Sequence, residues 1–201
     1  MYKAQVLGIS ILAAVVYGIV HDQITVRLCL EYFTLAHPAL FPTTSPTVLA
    51  FCWGVAATIW VGAVFGGVLA FVAESDGRPP VPLSRLLKAI AILLAITAFS
   101  AVSVGFAGFE MARASIISLS ADLGGLFSRE QQHRFVAVWF AHIASYAVGM
   151  LGGTLLIIAF WQQRGRPRVL RLFPRSAPAI IRAGILIAIL ILILGFRYVR
   201  R

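Results

Sequence analysis

Five stretches of this chain are too apolar for a soluble protein: about 5–20, 47–73, 86–109, 135–161 and 180–196. A helix needs about 20 mostly apolar residues to cross hydrocarbon about 30 Å thick. The second, third and fourth stretches reach that length with room for tilt, and the first and fifth stand near its lower limit. A buried soluble core explains one such run, not five in 201 residues. The sequence therefore predicts an all-α fold, a polytopic transmembrane helical bundle of five spans (four plus a C-terminal fifth) that forms a single integral membrane domain over 1–201.

Charge supports this. Charged residues make up 12% of the chain, against about 25% in soluble domains. The net charge of +10 raises nucleic acid as a partner, but the positions argue against it. Basic residues gather at span ends: Arg78, Arg85 and Lys88, then Arg164, Arg166, Arg168, Arg171, Arg175 and Arg182. That is how chains anchor beside anionic headgroups. A nucleic-acid surface would interleave exposed aromatics or present a reading helix. The partner that the composition implies is the lipid bilayer. Met1-Tyr2-Lys3 before an apolar run resembles a signal peptide, yet no small-x-small cleavage site follows, so an uncleaved first span is expected.

A cytoplasmic N-terminus places ten basic residues inside against four outside (Arg27, Arg113, Arg129, Arg134), which positive-inside bias favours. The tail Arg197, Arg200 and Arg201 opposes it if the fifth stretch crosses. That stretch is Ile, Leu and Ala on all sides, without the amphipathic face of an in-plane helix, so it is read as a span. The outer connections are then 21–46 and 112–134. The inner linker at 75–82 carries the helix-breaking run Asp76-Gly77-Arg78-Pro79-Pro80.

The chemistry-bearing groups are lopsided. All four histidines (His21, His37, His133, His142) and five of the seven acids (Asp22, Glu31, Glu110, Asp122, Glu130) fall in, or at the ends facing, the two outer connections. Helix faces gather some of them. In the first span Ala14, Tyr17, Gly18 and His21 share a face. The second carries Gly54, Thr58, Gly62 and Gly66 at four-residue spacing, a stripe that lets another backbone approach, either from this chain, from a membrane partner or from a second copy. In the third, Ser100, Ser103, Ala107 and Glu110 occupy an arc of about 80°. In the fourth, His142, Ser145, Tyr146, Gly149 and Gly153 occupy about 100°. Turned inward, these faces would form an outward-facing polar pocket of Tyr17, His21, Asp22, Glu31, His37, Glu110, His142, Ser145 and Tyr146.

Ionisable groups at membrane depth are costly and face a cavity or a partner. The ligand types suit a divalent metal held by His21, Glu31, Glu110 and His142, although no His-Glu-x-x-His or paired Glu-x-x-His spacing is present. His133 and His142 are nine apart and point to opposite faces, so they do not share one ion. A single haem would need two axial ligands, and His21 with His142 is the pair at comparable depth. Nucleophile motifs and phosphate cradles are absent. Cys29 and Cys52 both lie on the outer side, where an oxidising compartment would permit a disulfide; packing as free thiols is the alternative. The segment 24–31 alternates apolar and polar with period two, which suits a strand or an extended interfacial stretch, with a surface helix still open.

Tyr17-Gly18-Ile19-Val20-His21-Asp22-Gln23, then Glu31-Tyr32-Phe33-Thr34, then His142-Ile143-Ala144-Ser145-Tyr146 resemble an uncharacterised family of small bacterial multi-pass inner-membrane proteins. The resemblance implies a bacterial inner (plasma) membrane and no activity, and the fifth stretch departs from that family's four-span pattern. Three functional readings follow from the residues: a non-enzymatic protein whose pocket is structural or engages a partner, a metalloenzyme or redox protein, and a small transporter or proton pathway through Glu110 and His142.

Overall fold

The computed structural model describes residues 1–164 except Asp76 and Arg78. The fifth apolar stretch (180–196), the arginines from 166 to 182 and the basic tail lie outside the described residues. Six helices follow in order: α1 (Tyr2–Leu28), α2 (Leu30–Leu35), α3 (Pro46–Ala73), α4 (Leu83–Arg113), α5 (Ala121–Gly124) and α6 (Arg129–Gln163). No strand occurs among the described residues. Four helices, of 27, 28, 31 and 35 residues, are long and apolar enough to cross a membrane. Their most apolar windows are only 11, 28, 17 and 22% buried. A water-soluble bundle would hide those residues. Here Phe99, Val102, Phe106 and Leu155 stand 65 to 74% exposed, as lipid-facing side chains do. These four helices are compatible with a multi-pass membrane protein.

Local chemistry sets the helix ends. Pro46 opens α3, where its missing N–H is no loss. Ser128 and Gln131 form a reciprocal capping box that starts α6. Between α3 and α4 the chain turns through Gly77 at φ 66°, a value that glycine adopts without strain. At that end Arg164 is buried and donates to three carbonyls, of Ala73 at 2.9 Å, Ser75 at 2.5 Å and Pro79 at 3.1 Å. It gives the Ala73 carbonyl at the end of α3 a second donor beside the Val81 N–H and satisfies two carbonyls of the linker.

The first helix corrects two expectations. It does not end near residue 20 but runs to Leu28, and 24–31 is not extended. Thr25 and Val26 are both buried while Ile24 is exposed, so consecutive residues do not alternate between faces. Val20, Ile24 and Leu28 instead form an exposed apolar row at helical spacing. Only Cys29 is extended (φ −151°, ψ 97°), and α2 restarts after it.

The helices pack as two close pairs, α1 with α3 and α4 with α6. The glycine stripe of α3 makes the first pair. A Cβ on Gly54 would stand 2.6 Å from Ile19 Cα, and one on Gly62 2.6 Å from Ile11 Cα. The stripe is therefore covered by α1 of the same chain. In the second pair Gly105 and Gly108 of α4 admit Ala141 and Phe140 of α6. The inward face of α4 is thus Thr97, Ala101, Gly105, Gly108 and Ala112, all buried. The expected face of Ser100, Ser103, Ala107 and Glu110 lies about 140° away around the helix. Ser103 and Ala107 are exposed. Close backbone contact requires the smallest side chains, and glycine outweighs serine there.

Candidate functional site

Between the two pairs lies a cavity of about 150 Å³, lined from all four long helices. The sequence-predicted faces of α1 (Ala14, Tyr17, Gly18, His21) and α6 (His142, Ser145, Tyr146, Gly149, Gly153) both line it. The α4 wall is Ile90, Leu93, Leu94 and Thr97.

At one end of the cavity three ligating side chains converge. His21, Asp22 and His142 each bring one ligand atom, and these atoms lie within 4.8 Å of one another. Asp22 and His142 are buried at 5 and 8% exposure. Gly18 sits four residues before Asp22, so the close approach of α3 there turns Asp22 inward. On α6, Val138 lies one turn before His142, and its carbonyl oxygen is 2.8 Å from His142 Nδ1. Nδ1–H donates to that oxygen, which leaves Nε2 to face Asp22 Oδ1 at 3.3 Å. A neutral Nε2 in this tautomer offers a lone pair. A lone pair facing a carboxylate oxygen calls for a proton between them, carried by either group, or for a metal ion. His21 packs edge-on to His142 with ring centroids 4.6 Å apart. Its Nε2 is buried without a hydrogen-bond partner. Such an orphaned polar atom is costly in a buried setting.

A ring of neighbours fixes the cluster. Tyr17 stacks on His21 at 5.8 Å and shares a 2.8 Å hydrogen bond with Ser145. Tyr32 and Phe33 of α2 cover His142 from outside at 4.7 and 5.7 Å between ring centroids. His37 is part of this cover. Its Nδ1 lies 2.8 Å from the Tyr32 carbonyl oxygen, its ring stacks on Phe33, and Trp53 closes the other side. Burial holds its imidazole below the usual range, while the bond to Tyr32 works in the opposite direction.

The two glutamates expected as ligands stand elsewhere. Glu31 accepts from Gln131 at 2.9 Å and from the Cys29 thiol at 3.4 Å, which ties α2 to the start of α6. Glu110 pairs with Arg113 at 3.1 Å on the partly exposed end of α4. Of the predicted metal set, His21 and His142 come together, joined by Asp22, while Glu31 and Glu110 stand apart from them. A haem between His21 and His142 does not fit either. Axial ligands need a macrocycle between them, and these rings touch edge to face. Cys29 and Cys52 are free, and burial pushes the Cys29 thiol up to about 12. His133 packs near Phe109 at 5.9 Å, away from the cluster.

The sequence names Asp22 as one pocket residue among nine and not in the metal set; the structure places it beside both imidazoles. The signal was present. Extending α1 past residue 20 puts Gly18, Asp22 and Thr25 on one face at spacings of four and three. The chain matches no family model, no curated protein and no solved structure.

Proposed function

We propose that this protein is a membrane metalloprotein that holds a divalent transition-metal ion between His21, Asp22 and His142. The observation that carries this reading is one ligating atom from each of His21, Asp22 and His142 within 4.8 Å of one another, with His142 Nε2 facing the carboxylate and His21 Nε2 buried without a partner. Two nitrogens and one oxygen suit zinc or ferrous iron. A zinc ion with bonds of 2.0–2.1 Å spreads tetrahedral ligand atoms about 3.4 Å apart, close to the His142–Asp22 spacing of 3.3 Å. Val138 and the aromatic cover supply the orienting contacts that metal-bound histidines require. Three protein ligands leave at least one position open to a substrate atom, as in catalytic zinc sites.

A second reading has one observation in its favour. The 3.3 Å contact also suits an imidazolium on His142 donating to Asp22, a buried ion pair that clamps α6 to α1. That structural role accounts for two of the three groups and leaves His21 Nε2 unpartnered.

We read the cluster end as extracytoplasmic and the N-terminus as cytoplasmic, in a bacterial inner membrane. Support comes from the basic residues near the opposite end and from the likeness to small bacterial inner-membrane proteins. That likeness rests on 17–23, 31–34 and 142–146, the runs that build the cluster and its cover.

Elemental analysis of the purified full-length protein, supplied with zinc or ferrous iron, tests the metal. Stoichiometric metal is expected, with affinity falling at least about 10–100-fold in His142→Ala and in His21→Ala and retained in Glu31→Gln and Glu110→Gln. A folded wild-type protein that takes up neither ion overturns the metal and leaves the clamp.

A further inference from the structure

Below the cluster the cavity changes character. It continues along α1 from Asp22 to Ser10 and along α6 from His142 to Ile157. At 1.5 Å per residue those runs are about 18 and 22 Å long, more than the roughly 15 Å of one leaflet's hydrocarbon. The cavity is therefore a slot parallel to the helices. Its walls below Tyr17 and Ser145 include Val61, Phe65, Leu69, Leu93 and Leu156. Below the hydroxyls of Tyr17, Ser145 and Tyr146, three more line it, and each is spent on its own helix. Ser10, Thr58 and Thr97 donate to the carbonyls of Val6, Gly54 and Leu93, each four residues back on its own helix. Polar capacity is thus gathered at the His–Asp end, together with Tyr17, Ser145 and Tyr146.

We infer that the slot binds a single-chain amphiphile, with its oxygen-bearing head at His21, Asp22 and His142 and its alkyl chain along the slot toward Ser10 and Ile157. The head placement rests on the metal reading; the chain placement rests on the slot alone. A slot this long and apolar, left without matter, forfeits dispersion contacts along its walls, and water finds too few partners there. What reaches it is dissolved in the bilayer. A flexible chain about one leaflet long matches its length and its polarity; a volume of about 150 Å³ takes only part of such a chain, and the rest lies along the open side of the slot. An oxygen head, such as a carboxylate, completes the open position of an ion held by two imidazoles and an aspartate.

One residue allows a clean test. Gly149 lines the slot, and a Cβ built there meets nothing within 4 Å. Gly149→Leu extends a side chain into the slot from a Cβ that strikes no neighbour. It lies two turns from His142, about 10 Å along α6. Gly67→Leu is the control: that glycine is also unobstructed, but it is exposed and does not line the slot. The probe is palmitate with a mid-chain diazirine, photolysed with full-length protein in lipid nanodiscs, and peptide mapping reads the labelled residues. Expected is saturable labelling of slot residues, competed by palmitate and much less by hexadecane, lost in Gly149→Leu and kept in Gly67→Leu. Equal labelling in Gly149→Leu, or equal competition by hexadecane, overturns the proposal. Metal content of the same samples separates the two readings. A metal-free wild type that still takes the label with head-dependent competition overturns the metal alone. A metal-loaded wild type whose slot takes no label overturns the amphiphile alone.

Discussion

The contact between α1 and α3 and the seam between the two helix pairs are built on opposite principles. In the first, backbones touch: Gly18, Gly54, Gly62 and Gly66 leave no room for a methyl group. In the second, four helices stand apart around a cavity, and the buried ionisable groups sit at its end. Lipid tails are as apolar as leucine, so spans cohere where they pack most closely. The glycine seam therefore carries stability. The open seam gives up packing and keeps costly polar groups, which is the mark of a site.

Substitution by leucine should separate the two seams most sharply. Gly54→Leu and Gly62→Leu drive side chains into backbone and should cost about 3 kcal/mol or more, whereas Gly149→Leu should be nearly neutral. Thermal unfolding of the purified variants, followed by tryptophan fluorescence, checks this. Comparable losses at all three would erase the distinction.

The Asp22–His142 pair gives the next effect. Removing one member of a buried pair strands the other and costs about 3–5 kcal/mol, while replacing both with apolar residues is often neutral or better. Asp22→Leu should therefore be much less stable than Asp22→Leu combined with His142→Leu, in metal-free protein. A double variant as unstable as the single would assign the pair to the fold and weaken the contrast.

His37 should show a smaller, pH-dependent effect. Its imidazole is held below the ordinary 6.5 mainly by burial. The folded connection thus prefers the neutral ring, and an unfolded chain binds more protons in the interval between the two values. The contribution to stability is present above about 6.5 and is lost as pH falls. Nearby His142 works in the same direction as burial and Asp22 against it. Corrected for the intrinsic exchange rate, amide protection in 29–45 should fall as pH drops from about 7 to 5, and His37→Gln should remove that dependence. A pH-independent wild type would contradict this. Smallest of all, Glu110→Gln loses only a partly exposed pair with Arg113 and should stay within about 0.5 kcal/mol.

Four spans, the glycine stripe of α3 and the cavity-lining faces of α1 and α6 were legible in the sequence, because small residues recur there at helical spacing. The inward face of α4 was not. Its serines and Glu110 drew attention by polarity, while Gly105 and Gly108 do the packing. Period two in 24–31 misled for a related reason: Arg27 and Glu31 gain partners in Thr47 and Gln131, contacts that no local pattern announces. Arg164 reads as one more anchoring arginine, yet its guanidinium is buried among carbonyls of another helix and its linker. Such long-range partners are invisible to periodicity.

That arginine has a mechanical consequence. It buckles the last turn of α6 to the end of α3, and at the far extremity His142 and Gln131 fasten α6 to Asp22 and Glu31. The two halves are thus pinned top and bottom, like a sleeve stitched at shoulder and cuff. On the reading proposed above, an occupant of the slot would enter from the side, with both pins kept closed.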